Sequence, residues 1–195
     1  MITKARENTD RKPLADAARN RERILEMAKE EFTRVGANAS LEEIAKKAGV
    51  GPGTLYRHFP QRSDLIAAVF RHEVDACADA APLLAAEHGP GEALARWMQR
   101  YAAFIATKRG LASALHSGNP AFEMLPAYFK ERLQPALESL LSAAAASGEV
   151  RSDIEPNDLL QAVASLCMSA HNTSPDHTRR MVALIVDGLR FGASP

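Results

Sequence analysis

The 195 residues carry 24 Lys and Arg against 24 Asp and Glu, with 46% hydrophobic residues. That is ordinary for a soluble globular chain with room for a real core. Two cysteines, Cys77 and Cys167, are too few and too far apart for a disulfide framework. Met1 to Leu14 is polar, with no apolar segment of a signal peptide behind it, and no apolar run approaches the roughly 18 residues of a membrane span. The expectation is a soluble protein working in the cytoplasm. Zero net charge conceals an asymmetry. Residues 1–62 hold 13 Lys and Arg against 9 Asp and Glu, a net +4, and residues 63–195 hold 11 against 15, a net −4. A basic N-terminal module on an acidic remainder suits a polyanionic partner at one end.

In chain order, residues 1–15 read as a disordered basic arm: polar, with Arg11, Lys12 and one proline, and without periodicity. A first helix is predicted from Asp16 to Val35, where Ile24, Ala28, Phe32 and Val35 form one stripe that Gly36 ends. Ser40-Leu-Glu-Glu43 is a capping box opening a short helix, with Leu41, Ile44, Ala45 and Ala48 inward. The turn Gly49-Val-Gly51 leads to a second short helix from Pro52 to Phe59, stopped by Pro60. Ser63 is predicted to cap a longer helix to about Ala80.

The remainder is more helix. Glu92–Thr107 places Leu94, Trp97, Met98, Tyr101 and Ile105 on one face. A short helix is expected over Leu111–His116. Phe122–Ser147 follows, with a kink at Pro135, and Asn157–His171 and Thr178–Gly192 complete the chain. No convincing strand or repeat is present. The fold class is therefore all-α, about nine helices: a three-helix, homeodomain-like helix-turn-helix domain at 16–62, then a helical domain at 63–195.

Two short helices joined by a glycine turn and backed by a longer helix describe a DNA-binding helix-turn-helix. The second helix must be slim and exposed enough to enter a major groove about 12 Å wide. Leu41, Ile44, Ala45, Val50, Leu55 and Phe59 would pack it. The other positions of that helix are small, hydrogen-bonding or basic, and no acid lies between Ala45 and Gln61. An ordinary solvated face mixes signs; an acid-free one suits phosphates.

The run Ser40 to Phe59, ending Gly-Thr-Leu-Tyr-Arg-His-Phe, then Pro-Gln-Arg-Ser-Asp-Leu65, resembles the DNA-binding domain of the TetR family of transcriptional regulators over residues 24–70. The resemblance implies a role for each matching position. Ser40 would offer its hydroxyl and helix N-terminus to a phosphate. Pro52, Gly53, Thr54 and Arg57 would lie against base edges or nearby backbone, and Tyr56 and His58 against phosphates. Arg57 is the candidate for guanine readout, since its fork matches two acceptors there; a phosphate clamp is the other reading. Pro52 stands where many relatives carry Lys or Arg, which shifts readout toward Arg57. Lys46 and Lys47 read as a solvated face or as DNA contacts.

Ala106-Thr-Lys-Arg-Gly-Leu111 and Ser147-Gly-Glu-Val-Arg-Ser-Asp153 look similar to the SbtR-like subgroup of that family. The resemblance implies that the last two helices pair with their copies in a homodimer, with Leu160, Val163, Cys167, Met181, Leu184, Ile185, Gly188 and Leu189 in the interface. Two recognition helices one DNA turn apart would read a palindromic operator. A small-molecule pocket would form among the middle helices. Its candidates are Trp97, Tyr101, Phe104, His116, Phe122, Met124, Tyr128 and His171, for each of which plain core is the competing reading. The function implied is a repressor released by a small molecule; an activator or ligand-independent DNA binder of the same fold is the alternative. No nucleophile elbow, phosphate loop or zinc-like spacing is present. No cofactor, metal or catalytic residue is expected, and a small helical enzyme built on Cys167, His171, Asp176 and His177 is the remote alternative.

Overall fold

A computed structural model describes residues 4–169 and 175–191 of the chain, with side chains over 16–168 and 176–191. Nine α-helices and one 3-10 turn account for the described chain, with no strand among them. They are α1 (Lys4–Val35), α2 (Leu41–Lys47), α3 (Pro52–His58), α4 (Arg62–Glu87), α5 (Pro90–Gly110), α6 (Ala112–Leu115), the 3-10 turn Pro120–Phe122, α7 (Leu125–Ala146), α8 (Pro156–Ser169) and α9 (Pro175–Arg190). The chain forms two compact units. The first comprises Met1–Val69 with Gly110–Phe122, the second Phe70–Arg109 with Glu123–Pro195. The passage from one to the other thus falls inside α4, not at Arg62, and a short return segment joins the first unit.

The first helix differs from expectation: α1 starts at Lys4, so the backbone expected to be a disordered arm is helical from there. Missing apolar periodicity argues against burial, not against helix. Lys, Arg, Ala, Leu and Glu are all good helix formers, and extending an existing helix fixes one residue per added bond. The side chains of Arg11 and Lys12 lie outside the described ones. Ile24, Leu25, Ala28 and Phe32 are fully buried. Gly36 ends the helix at φ +87°, a left-handed conformation that glycine adopts without a Cβ penalty.

Gly110, where α5 ends, shows why a residue without a side chain stands there. A Cβ at that position would lie 2.3 Å from the Phe32 carbonyl oxygen. Only bare backbone lets the segment approach the last turn of α1 this closely.

In the second unit, the inner face of α5 is an aromatic ladder. Trp97 stacks on Tyr101 with centroids 5.7 Å apart, and Tyr101 lies 6.2 Å from Phe104. Phe104 meets Phe129 of α7 at 5.8 Å and Phe70 of α4 edge-on at 5.7 Å. The polar tips of the ladder are satisfied by main chain: Trp97 Nε1 donates to the Cys77 carbonyl at 2.9 Å, and the Tyr101 hydroxyl to the Leu160 carbonyl at 3.1 Å. Burial pushes the Tyr101 phenol well above its ordinary range and the Cys77 thiol up to about 12. Tyr128 and Arg132 of α7 converge on Asp75 of α4 at 2.6 and 2.8 Å, and Arg132 also reaches Asp79 at 2.7 Å.

Candidate nucleic-acid interface

Ser40 is the N-cap of α2, with its Oγ accepting the Glu43 amide at 3.3 Å. The capping box is half closed: the Glu43 carboxylate turns to Lys46 at 3.6 Å. Leu41, Ile44 and Ala45 bury the inner face. The turn after α2 places Gly49 at φ +64°, and a Cβ there would also sit 2.3 Å from the guanidinium of Arg23. The backbone angle is what disfavours a side chain, since the Arg23 guanidinium is the far end of a flexible side chain and can shift. α3 then begins with Pro52 at its first turn and buries one residue of its own, Leu55, with Phe59 buried directly after it. The helix is thus held from beneath by two side chains, and Arg21 of α1 lies 5.7 Å over the Phe59 ring.

The rest of α3 faces outward. Pro52, Gly53, Tyr56 and Arg57 are exposed, Thr54 and His58 half-buried. Tyr56 keeps 46% of its surface in solvent although it is a large aromatic. Arg57 makes no ion pair or hydrogen bond among the described residues, and no acidic residue lies within α3. The seven residues expected to meet DNA therefore fall on α3 and on the N-terminus of α2, exposed or half-exposed. What the arrangement offers is a rigid convex ridge of donors one helix wide, which fits a major groove.

Lys46 and Lys47 are both engaged within the protein. Lys46 pairs with Glu43, and Lys47 with Glu31, a buried carboxylate on α1 that Arg34 also holds at 2.6 Å. The hydrogen bond from Arg34, then that from Lys47, holds the Glu31 carboxyl down at about 2, against an ordinary 4.5. A carboxyl lowered on folding stabilises the fold fully above its unfolded value and loses that contribution as pH falls toward the folded one. Glu31→Gln should therefore melt below the parent at neutral pH, and the gap should close between about pH 4.5 and 2. Thermal melts across that range check it; a gap independent of pH would mean that shape, not charge, makes the contribution.

Sequence reasoning missed Arg62. Its Nη1 donates to the carbonyls of Ala37 and Ala39, at 3.0 and 2.5 Å, fastening the start of α4 to the loop before α2. The cap expected from Ser63 is supplied otherwise: Asp64 accepts the Gln61 amide at 2.9 Å, and α4 starts at Arg62.

Of the residues expected to form a ligand pocket, Trp97, Tyr101 and Phe104 stack on one another in the second unit. Trp97, Tyr101 and Phe104 are core of the second unit. Tyr128 is tied to Asp75. Phe122 is buried in the first unit, and His116 is exposed there, bonded to its own Ala112 carbonyl. Met124 is exposed, and His171 lies outside the described residues. A cavity of about 580 Å³ in the second unit opens on a different face of α5, against α8 and α9. Ala102, Ala103 and Ala106 form its floor, with Gln99, Arg100 and Arg109 along α5 and Cys167 and Arg179 opposite. The dimer candidates divide as well. Leu160, Val163, Cys167 and Leu189 are buried within their own unit, because α8 and α9 pack on the same chain. Met181, Leu184, Ile185 and Gly188 remain at least partly exposed on α9, Leu184 at 64%.

An all-helical chain with a capped, glycine-turned pair of short helices and an acid-free outer helix is a helix-turn-helix DNA-binding protein. Comparison with known proteins gives the family. Residues 24–69 match the model of the bacterial regulatory proteins of the TetR family, and residues 89–191 that of the SbtR-like transcriptional regulator C-terminal domain. A TetR transcriptional regulator from Streptomyces coelicolor is 40% identical, with a TM-score of 0.77 over 87% of this chain and 98% of that one. A TetR regulator from Mycobacterium vanbaalenii is 38% identical, with a TM-score of 0.68 over 90% and 98%. An HTH-type transcriptional regulator of Staphylococcus aureus (strain USA300) is 48% identical over 61 residues, 31% of this chain and 33% of its own length. The chain is a member of the TetR family, with an SbtR-like C-terminal domain, and is a transcriptional regulator, not an enzyme. Among the described residues, no helix is long and apolar enough to cross a membrane.

Proposed function

We propose that the protein is a cytoplasmic repressor: a homodimer that holds a palindromic operator through two copies of α3 and releases it when a small molecule enters the second unit. The observation that carries the DNA half is the outer face of α3, basic and hydrogen-bonding, held from beneath by Leu55 and Phe59. The release half is supported by the 580 Å³ cavity, a size that suits a small organic ligand. The dimer is supported by Met181, Leu184 and Ile185 of α9, apolar residues that stay at least partly exposed, Leu184 at 64%. One recognition helix gives little specificity, and two fixed one DNA turn apart read a symmetric site.

The cavity wall touches the helix that follows α3 in the chain. Arg100 donates its Nε to the Ala76 carbonyl of α4 at 2.9 Å. A ligand that moves Arg100 pulls on α4, and only three residues separate the end of α3 from the start of α4. A coupling of about 1–3 kcal/mol suffices for a 5- to 150-fold change in operator affinity. The test is a mobility shift of the purified protein on DNA from its own promoter region, against scrambled DNA at two salt concentrations, with a promoter reporter in cells. Preferential retention that weakens steeply with salt, and a reporter that rises when the gene is deleted, are the expected results. A reporter that falls on deletion makes the protein an activator.

A further inference from the structure

Most of the basic side chains in the first unit are spent inside it. Arg19 pairs with Asp16, Arg34 and Lys47 share Glu31, Lys46 pairs with Glu43, and Arg62 donates to two carbonyls. Lys29 is engaged too. Among the described Lys and Arg side chains of this unit, that leaves Arg21, Arg23 and Arg57 without a hydrogen bond or ion pair. The three are not scattered. Arg57 stands on α3 itself. Arg23 of α1 rests its guanidinium against Gly49, in the turn before α3. Arg21 holds its guanidinium 5.7 Å over the ring of Phe59, the residue that follows α3. Both α1 side chains are exposed, and Glu22 and Glu26, the acids nearest them in the chain, pair with neither. A glycine turn and an aromatic face position a guanidinium while leaving its N–H donors unspent and its charge unanswered.

We infer that Arg21 and Arg23 are phosphate clamps: when α3 enters the major groove, each guanidinium pairs with a backbone phosphate bordering that groove, Arg23 beside the turn before α3 and Arg21 at the far end of the helix. This rests on the reading of α3 as the helix that enters the groove. α3 is seven residues long, about 10 Å of helix. Cations at the two ends of so short a helix stand over the borders of a groove about 12 Å wide, where the phosphates run. The planar fork of arginine meets a phosphate through paired, charge-assisted hydrogen bonds. Such contacts set orientation and affinity and carry no sequence information, so the two clamps complement Arg57 without duplicating it. Both residues precede Ile24, where the match to the family's DNA-binding model begins. The clamps therefore extend the interface onto α1, beyond the residues that the match covers.

The test reads phosphate contacts on DNA of any sequence. Binding of the full-length protein to a labelled mixed-sequence duplex is followed by anisotropy from low to moderate salt, for the parent, Arg21→Gln, Arg23→Gln and Arg23→Lys. Arg96→Gln, which removes an exposed arginine of the second unit paired with Glu92, controls for net charge alone. Each Gln variant should lower the salt slope by about one per protomer and weaken binding several-fold. Arg23→Lys should restore the slope, and Arg96→Gln should leave it at the parental value. Thermal melts show whether a loss comes from unfolding: Arg23→Gln should melt with the parent, since the side chain has no bond within the fold to lose. Slopes that stay parental in both Gln variants overturn the inference, and so does an equal fall in Arg96→Gln. Arg57→Ala in the same assay, with promoter DNA added, keeps the two readings apart. If Arg57→Ala keeps full preference for the promoter while the Gln variants lose slope, the clamps stand and base readout by α3 falls.

Discussion

Arg57→Ala is expected to weaken operator binding by about 1–3 kcal/mol at each half-site, so that a dimer carrying the change twice loses specific binding at working concentrations. The melting temperature should not move. Arg57 stands exposed on α3 with no partner among the described residues, so its removal takes nothing from the fold. Leu55 and Phe59, which hold the helix, are untouched. Fluorescence anisotropy on operator and on scrambled DNA, at several salt concentrations, separates the two roles open to the side chain. A guanine reader loses affinity for the operator far more than for scrambled DNA. A phosphate clamp loses both alike and reduces the salt slope by about one unit per site. Tyr56→Phe, which removes only a hydroxyl, should cost less than Arg57→Ala. Unchanged operator affinity in Arg57→Ala would remove α3 from base readout.

The DNA-binding module was legible because its signals are local. Ser40 caps by reaching three residues, Gly49 turns by its own φ angle, and the two apolar anchors of α3 are four residues apart, at Leu55 and Phe59. None of these needs knowledge of the rest of the fold. The second unit was legible as helices and not as a site. An aromatic on an apolar face has the same sequence pattern whether it lines a pocket or fills a core, and Trp97, Tyr101 and Phe104 fill the core. The usable signal lay on the other side of the same helix: Ala102, Ala103 and Ala106, bracketed by Arg100 and Arg109, on a helix whose inner face is aromatic. Small residues between cations mark space, and space shows only when α8 and α9 are laid opposite. The dimer candidates divide by burial for a related reason. Apolar residues on α8 do not say in sequence which of them pack on their own chain, and Leu160, Val163 and Cys167 are buried there.

Trp97 separates the two meanings of a buried aromatic. The ring is fully buried, stacked on Tyr101 with planes 7° apart, and its Nε1 satisfies the Cys77 carbonyl. Trp97→Ala removes the stack and leaves a void at the end of the ladder, and should cost about 3–5 kcal/mol of stability. The Cys77 carbonyl then loses its side-chain donor in a dry interior, which adds to the loss. Trp97→Phe keeps an aromatic ring against Tyr101 and should cost roughly 1–3 kcal/mol. Urea unfolding at fixed protein concentration measures both, since dimerisation makes apparent stability depend on concentration. A ligand-contacting tryptophan behaves in the opposite way: its replacement changes the response to ligand and spares the fold. Trp97→Phe is therefore the decisive variant. It should bind operator like the parent and release it at the same concentration of any ligand that works, because the cavity lies along Ala102, Ala103 and Ala106 and not along the ladder. A Trp97→Phe protein of nearly parental stability with an altered ligand response would return the aromatic face of α5 to the binding site.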